Sequence, residues 1–298
     1  MNLCNIKTVK ALLARHSTDT KKGFGQNFLI NPAIPSDIAD ESFEYHLDST
    51  RRESSPSYVL EIGPGVGALT VELCQRYDKV VSVEIDKSLM PILDESLADY
   101  DNVSVINEDF LKLDLDSFLS EHFGNGRVSV CANLPYYITT PIIMKLLENA
   151  RGKLASITVM VQKEVAQRLC ASSKDSEYGA ITASVNYYGT VKELFDVAPT
   201  NFLPPPSVTS TVIRIELFKE NPYSVLDEQT LFEVISGAFA QRRKTLLNSL
   251  SASVGWVSKQ RLGEIITSLG FDISVRGERL SIGDFCALAN ELYKEKTK

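Results

Sequence analysis

The most restrictive stretch of this 298-residue chain is Tyr58-Val-Leu-Glu-Ile62, which runs without a break into Gly63-Pro-Gly65-Val-Gly67-Ala68. The first five residues read as a buried strand. The three closely spaced glycines call for a tight turn, and residues 68–77 have the composition of a helix. The alternation continues with a strand at 80–85, a helix at 88–100 and strands at 103–106 and 128–134. Further on come a strand-like run at 156–161, a helical run at 163–169 and an alternating β-branched run at 208–217. Strands separated by helical segments predict an α/β fold with a mostly parallel, doubly wound sheet covered on both faces. From about residue 219 only helical periods remain, at 231–250, 258–270 and 281–294, which predicts a small all-helical C-terminal domain. The expected division is therefore 1–218, with 1–22 as a basic N-terminal arm, and 219–298.

Composition narrows the chemistry. A hydrophobic content of 44 % is enough for a real core, and 31 basic against 38 acidic residues give a formal charge of −7. That balance argues against a generally basic coat but leaves room for a local basic face. The five cysteines are odd in number and form no CxxC pair, which fits a reducing compartment and gives no zinc site. None of the three histidines stands at metal-ligand spacing, so neither a metal nor a histidine triad is expected. No apolar run approaches the roughly 20 residues of a membrane span. A soluble cytoplasmic monomer is the expectation. The first 22 residues carry Lys7, Lys10, Arg15, Lys21 and Lys22 against Asp19, with Leu3, Ile6, Leu12 and Leu13 at helical spacing. Such a pattern suits either an organellar transit peptide or a basic arm beside a nucleic-acid site.

The glycine turn places helix-start N–H groups where a ligand can approach the backbone. Glu84 ends the next strand 21 positions after Gly63, where a carboxylate can accept hydrogen bonds from both hydroxyls of a ribose. These features alone leave two cofactor classes open, because Gly63-x-Gly65-x-x-Ala68 with Glu84 also satisfies the dinucleotide fingerprint. Asp109 arrives at the end of the third strand, where it can accept from an adenine amino group while Phe110 packs near the ring; read alone, it is equally a solvated turn residue. The fourth strand ends in Asn133-Leu134-Pro135-Tyr136. Amino groups on nucleobases are poor nucleophiles, since their lone pair is delocalised into the ring. Catalysis needs acceptors that favour a pyramidal nitrogen, which the Asn133 side-chain oxygen and the Leu134 carbonyl can supply, and Tyr136 offers a face for an extruded base. Hydride transfer has no use for such a group.

The combination of EIGPGVGALT, Glu84, Asp109 and NLPYY resembles the S-adenosylmethionine-dependent adenine-amino methyltransferases. Four further segments narrow it: Lys22-Gly-Phe-Gly-Gln-Asn-Phe-Leu29, Gln162-Lys-Glu-Val-Ala-x-Arg-Leu169, Phe202-Leu-Pro-Pro-Pro-Ser-Val-x-Ser210 and Phe239-Ala-Gln-Arg-Arg-Lys-Thr-Leu-Leu-Asn248. Together they resemble the small-subunit ribosomal RNA adenine dimethyltransferase family, KsgA or RsmA in bacteria and Dim1 in eukaryotes, over about residues 20–285. The resemblance implies a Rossmann-like sheet of the methyltransferase type and dimethylation of two adjacent adenosines near the 3′ end of small-subunit ribosomal RNA. It further implies that Asn27 and Leu29 close over S-adenosylmethionine, that Gly63 and Gly65 approach its methionine part, and that Glu84 holds the ribose and Asp109 the adenine. The resemblance also implies that Asn133 borders the cofactor and contacts the target amine, and that Phe202 stacks on the target base opposite Tyr136. Two departures stand out: Tyr137 where many relatives have asparagine, and a long polar linker before Tyr58.

The late cations Arg242, Arg243 and Lys244 can grip RNA phosphates, or merely solvate a helix face; the surrounding motif favours RNA. The expected partner is the immature small ribosomal subunit, recognised through folded shape. A large-subunit enzyme of the macrolide-resistance type, a DNA adenine methyltransferase, a non-catalytic assembly factor and an NAD oxidoreductase are the competing readings.

Overall fold

The computed structural model describes residues 1–18, 26–50, 56–150, 152–241 and 243–297. In chain order the elements are α1 (Ile6–Arg15), β1 (Phe28–Leu29), α2 (Ala33–Thr50), β2 (Tyr58–Ile62), α3 (Ala68–Cys74), β3 (Lys79–Glu84), α4 (Met90–Ser96) and β4 (Val103–Asn107). There follow α5 (Leu115–Phe123), β5 (Val128–Asn133), α6 (Thr139–Asn149), β6 (Leu154–Gln162), α7 (Lys163–Cys170), α8 (Ala180–Tyr188), β7 (Gly189–Val197), β8 (Phe202–Leu203) and β9 (Ser210–Leu217). The last helices are α9 (Glu228–Phe239), α10 (Leu246–Ser253), α11 (Lys259–Ser268) and α12 (Ile282–Lys296). They form two compact units, Met1–Ala166 with Lys192–Leu217, and Gln167–Val191 with Phe218–Lys298.

The first unit is built on a seven-stranded sheet of order β4-β3-β2-β5-β6-β9-β7. Its first five strands are parallel and β9 runs antiparallel to β6. The long apolar runs of β5 and β6, buried along nearly their whole length, are what a parallel strand covered on both faces requires. The order reverses between β2 and β5, so the connections that leave their carboxyl ends run to opposite sides and leave a crevice there, the place where open α/β sheets bind ligands.

Helix α1 carries Val9, Leu12 and Leu13 on one face, and these pack with Leu3 against Phe28, Val66, Leu89 and Leu93. Lys7 and Lys10 remain exposed on the other side. The apolar half of the basic arm is thus core of the first unit. Helix α2 buries Ile38, Ala39, Ser42 and His46 against the sheet. Its polar members are satisfied: the Ser42 and Tyr77 hydroxyls lie 2.9 Å apart, and His46 Nδ1 lies 2.9 Å from Ser129 Oγ.

Burial, with Arg127 adding to it, lowers the His46 pKa to about 4. An unfolded chain therefore takes up a proton below about 6.5 that the folded one refuses until about 4, and stability falls as pH drops through that window. Denaturant titrations should show a loss of about 2 kcal/mol from this residue between pH 7 and pH 5. In His46→Gln that slope should flatten; an unchanged slope would contradict the assignment.

The second unit is helical, and its last four helices start on side-chain caps: Asp227 for α9, Thr245 for α10, Ser258 for α11 and a reciprocal Ser281–Asp284 box for α12. It also takes in Gln167–Val191, which the sequence boundary at 218 had placed with the sheet. The reason is α8, whose Tyr188 ring stacks on Phe232 of α9 at 5.8 Å and which packs along α9 and α12.

Candidate active site

A cleft of about 1060 Å³ opens at the carboxyl ends of β2, β3, β4 and β5, lined among others by Gly63, Gly65, Glu84, Asp109, Asn133 and Tyr136. It lies wholly in the first unit. Every sequence-predicted cofactor residue, including Asn27 and Leu29, borders it, and so do Leu134 and Pro135.

The glycine turn follows β2 directly. Gly63, Gly65 and Gly67 all have positive φ, a region costly for residues with a Cβ. A Cβ on Gly63 would meet nothing within 4 Å, which is the open space a ligand needs to reach the backbone; one on Gly65 would lie 3.2 Å from the Phe28 ring.

Glu84 is 4 % exposed. Its Oε2 accepts from the Gly65 amide at 3.3 Å and its Oε1 from the Asp86 amide at 2.8 Å, so the carboxylate ties the end of β3 to the glycine turn. Burial raises its pKa, against the lowering effect of those two amides. Asp109 is half-buried; it accepts from the Leu111 amide at 3.0 Å and pairs with Lys112 at 3.3 Å. Phe110 lies beneath it in the cleft wall.

Sequence reasoning gave no role to Glu61, which lines the same cleft from within β2. Its Oε2 accepts from Thr70 and Ser82 hydroxyls, each at 2.7 Å, while Oε1 has no partner among the described residues. Desolvation pushes this carboxyl up to about 7. An orphaned acceptor in a strand otherwise apolar was a signal already present in YVLEI, since a glutamate there has to be answered by a partner.

The NLPY turn sits at the end of β5. The Leu134 amide donates to the Met160 carbonyl at 3.3 Å, and Asn133 Nδ2 donates to the Asn27 carbonyl at 3.1 Å. The second bond orients the amide, with Oδ1 as its acceptor side. Gln26 Nε2 donates to Asp86 Oδ2 at 3.0 Å, so the start of the segment 26–29 is fastened both to the turn after β3 and to the end of β5. Tyr136 is half-buried and lines the cleft; Tyr137 is 61 % exposed.

Phe202 requires a correction. It is 2 % exposed, pairs with Leu29 in the β1–β8 ladder and belongs to the core with Ile34 and Ile38; it does not line the cleft. Arg243 and Lys244 are exposed in the second unit; Arg242, the Lys22-to-Gly25 part of the N-terminal motif and residues 51–55 of the polar linker lie outside the described residues. Among the described residues there is no group of three or more His, Cys, Asp or Glu able to hold a metal ion, and no helix long and apolar enough to cross a membrane.

Comparison with known proteins agrees with this arrangement. The model of the family described as ribosomal RNA adenine dimethylase matches residues 17–294. The ribosomal RNA small subunit methyltransferase A of Alkaliphilus oremlandii is 43 % identical over 97 % of this chain and 97 % of its own length. That of Bacillus mycoides is 44 % identical over 96 % of each. Among solved structures, a dimethyladenosine transferase from Plasmodium falciparum superposes with a TM-score of 0.70 at 26 % identity, covering 90 % of this chain and 98 % of that one. The 23S rRNA methyltransferase ErmE shares the fold, with a TM-score of 0.64 at 23 % identity over 90 % of this chain and all of its own. The chain belongs to the ribosomal RNA adenine dimethylase family.

Proposed function

We propose that this protein transfers methyl groups from S-adenosylmethionine to the exocyclic amines of two adjacent adenosines near the 3′ end of small-subunit ribosomal RNA, acting on the immature subunit. The observation that carries the reading is the Asn133–Tyr136 turn at the wall of a cleft whose other walls present Glu84, Asp109 and the open glycine turn. A 43–44 % identity to small-subunit methyltransferases over nearly the whole chain supports the choice of RNA.

The residues fit the cofactor. Glu84 would accept from the ribose hydroxyls, Asp109 from the adenine amine, and the Gly63–Gly65 backbone would lie along the methionine part. The orphaned Glu61 Oε1 adds an acceptor suited to a cationic group. When bound, S-adenosylmethionine supplies a methyl activated by its sulfonium. The protein's own contribution is positioning and fixed polarity. Asn133 Oδ1 and the Leu134 carbonyl accept from the target amine and favour its pyramidal form, while Tyr136 holds the base by its face. No strong base is required at the amine, because its proton becomes acidic once the nitrogen has been alkylated.

We assign RNA binding to the helical unit. Arg243 and Lys244 are exposed there, and the loop they occupy is joined to the α11–α12 loop by the Leu246 amide donating to the Val275 carbonyl at 2.7 Å. That second loop adds the exposed Arg276 and Arg279, and the Lys174 amide donates to the Glu278 carbonyl at 3.0 Å, bringing a further exposed cation alongside. Cations on three linked loops suit a phosphate backbone, and contacts of this kind position RNA without reading its sequence.

The test is transfer of labelled methyl from S-adenosylmethionine to undermethylated small subunits, with large subunits and bare DNA in parallel, followed by nucleoside analysis. Dimethyladenosine confined to the small subunit is expected. Label on the large subunit or on DNA, or no label at all, would overturn the proposal.

A further inference from the structure

Two of the motifs singled out in the sequence, Gln162-Lys163-Glu164 and Val208-x-Ser210, have no part in the chemistry so far. The fold brings them together behind Tyr136. Ser210 begins β9, opposite Gln162 of β6 in the antiparallel ladder, and is fully buried. Its Oγ lies 2.8 Å from the Tyr136 hydroxyl. The residues on either side of it are held as well. The Lys163 amide donates to the Thr209 carbonyl at 3.0 Å, and the Thr211 hydroxyl donates to Asp196 Oδ1 at 2.6 Å. The other oxygen of Asp196 is ion-paired with the Lys163 ammonium. The start of β9 is therefore pinned from both neighbours of Ser210, and that pinned hydroxyl grips the far end of the Tyr136 ring.

Tyr136 needs such a grip. It stands on a single 3₁₀ turn, Tyr136–Ile138, and lines the cleft, so the ring is held from the backbone by one short turn and at its far end by the Ser210 hydroxyl. A base stacked on a tilting ring carries its amine away from the line of transfer, and small errors of placement there cost rate steeply.

We propose that Ser210 is a positioning residue for the methyl transfer: through its hydrogen bond to the Tyr136 hydroxyl it fixes the plane on which the target adenine stacks, with Lys163, Asp196 and Thr211 holding Ser210 in register. The inference rests on the stacking role given to Tyr136 above and adds the residues that make this role effective.

The experiment is a double-mutant cycle of Ser210→Ala and Tyr136→Phe, each of which removes only one hydroxyl. Methyl transfer to small subunits gives kcat and KM, 2-aminopurine at the target position reports stacking by its quenching, and calorimetry and thermal melting follow cofactor affinity and stability. Each single variant should lose about 3- to 10-fold in kcat, and the double variant no more than the worse single. The 2-aminopurine quench should weaken to the same extent in all three, with cofactor affinity unchanged. Losses that multiply in the double variant, or a loss in Ser210→Ala that tracks melting temperature while Tyr136→Phe is normal, would reduce Ser210 to a packing residue and overturn the proposal. Normal kcat and quenching in both single variants would overturn it too, leaving the methyltransferase reading intact. A wild-type protein that transfers no methyl would overturn both.

Discussion

Replacing Asn133 by alanine should lower kcat for methyl transfer by roughly 10²- to 10³-fold, the scale seen when one fixed polar group is removed from a developing charge. The side chain has two jobs that the substitution separates. Its Nδ2 closes the cleft wall by donating to the Asn27 carbonyl, and in the proposed reaction its Oδ1 would accept from the target amine. The first is a neutral hydrogen bond, whose loss costs only about 1 kcal/mol in local order. The second acts on the reacting nitrogen, and nothing else in the turn replaces it, since the Leu134 carbonyl already supplies the other acceptor. Binding of small subunits should be nearly unchanged if, as proposed, the phosphate contacts belong to the helical unit. Single-turnover transfer and a subunit-binding assay on the same variant check this. Transfer within threefold of wild type would remove Asn133 from the chemistry.

The parts of this site that were legible in the sequence share one property: each is set by residues adjacent in the chain. The glycine turn is read directly from YVLEIGPGVG because strand end, turn and helix start follow one another, and Glu84, Asp109 and Asn133 are located by counting strands in a parallel sheet. The helical repeats of α9, α11 and α12 were plain for the same reason. What escaped reading depends on distant partners. Helix α2 is obscured because Pro35, Ser42 and His46 stand among its buried positions; Ser42 is met by Tyr77 of the α3–β3 connection and His46 by Ser129 of β5. Strand β7, GTVKELFDV, looks like surface because it lies at the sheet edge, with much of its length accessible. Phe202 sits in a motif that suggests a site, yet its pairing with Leu29 across more than 170 residues puts it in the core. Ser210 was quoted as part of that same motif, and only the 2.8 Å contact with Tyr136 gives it a task.

The second large effect is expected at Glu84, where alanine should weaken S-adenosylmethionine binding by about 10²-fold or more, measured by calorimetry on the protein alone. Two contributions act in the same direction. In the proposed site the carboxylate would accept from the ribose hydroxyls, and hydrogen bonds to a charged group contribute about 1.5–3 kcal/mol each. It also receives the Gly65 and Asp86 amides, so its removal leaves both N–H groups without their partner and loosens the turn on which the methionine part would rest. Glu84→Gln separates the two, because its amide oxygen can keep one of the backbone bonds while the charge is lost; its affinity should fall between wild type and alanine. The raised pKa gives the pH dependence. Burial favours the neutral form of the empty site, and ribose hydroxyls favour the ionised form as acceptor. Binding should therefore strengthen as pH rises through the elevated Glu84 pKa and level off above it, with proton release on binding in that window. In Glu84→Gln the component of this dependence owed to Glu84 should disappear. Burial also pushes the Glu61 carboxyl up to about 7 in the same cleft, so Glu61 and the cofactor's own amino group contribute to any slope that remains. If Glu84→Ala binds the cofactor as tightly as wild type, the ribose lies elsewhere and the assignment of this cleft wall falls with it.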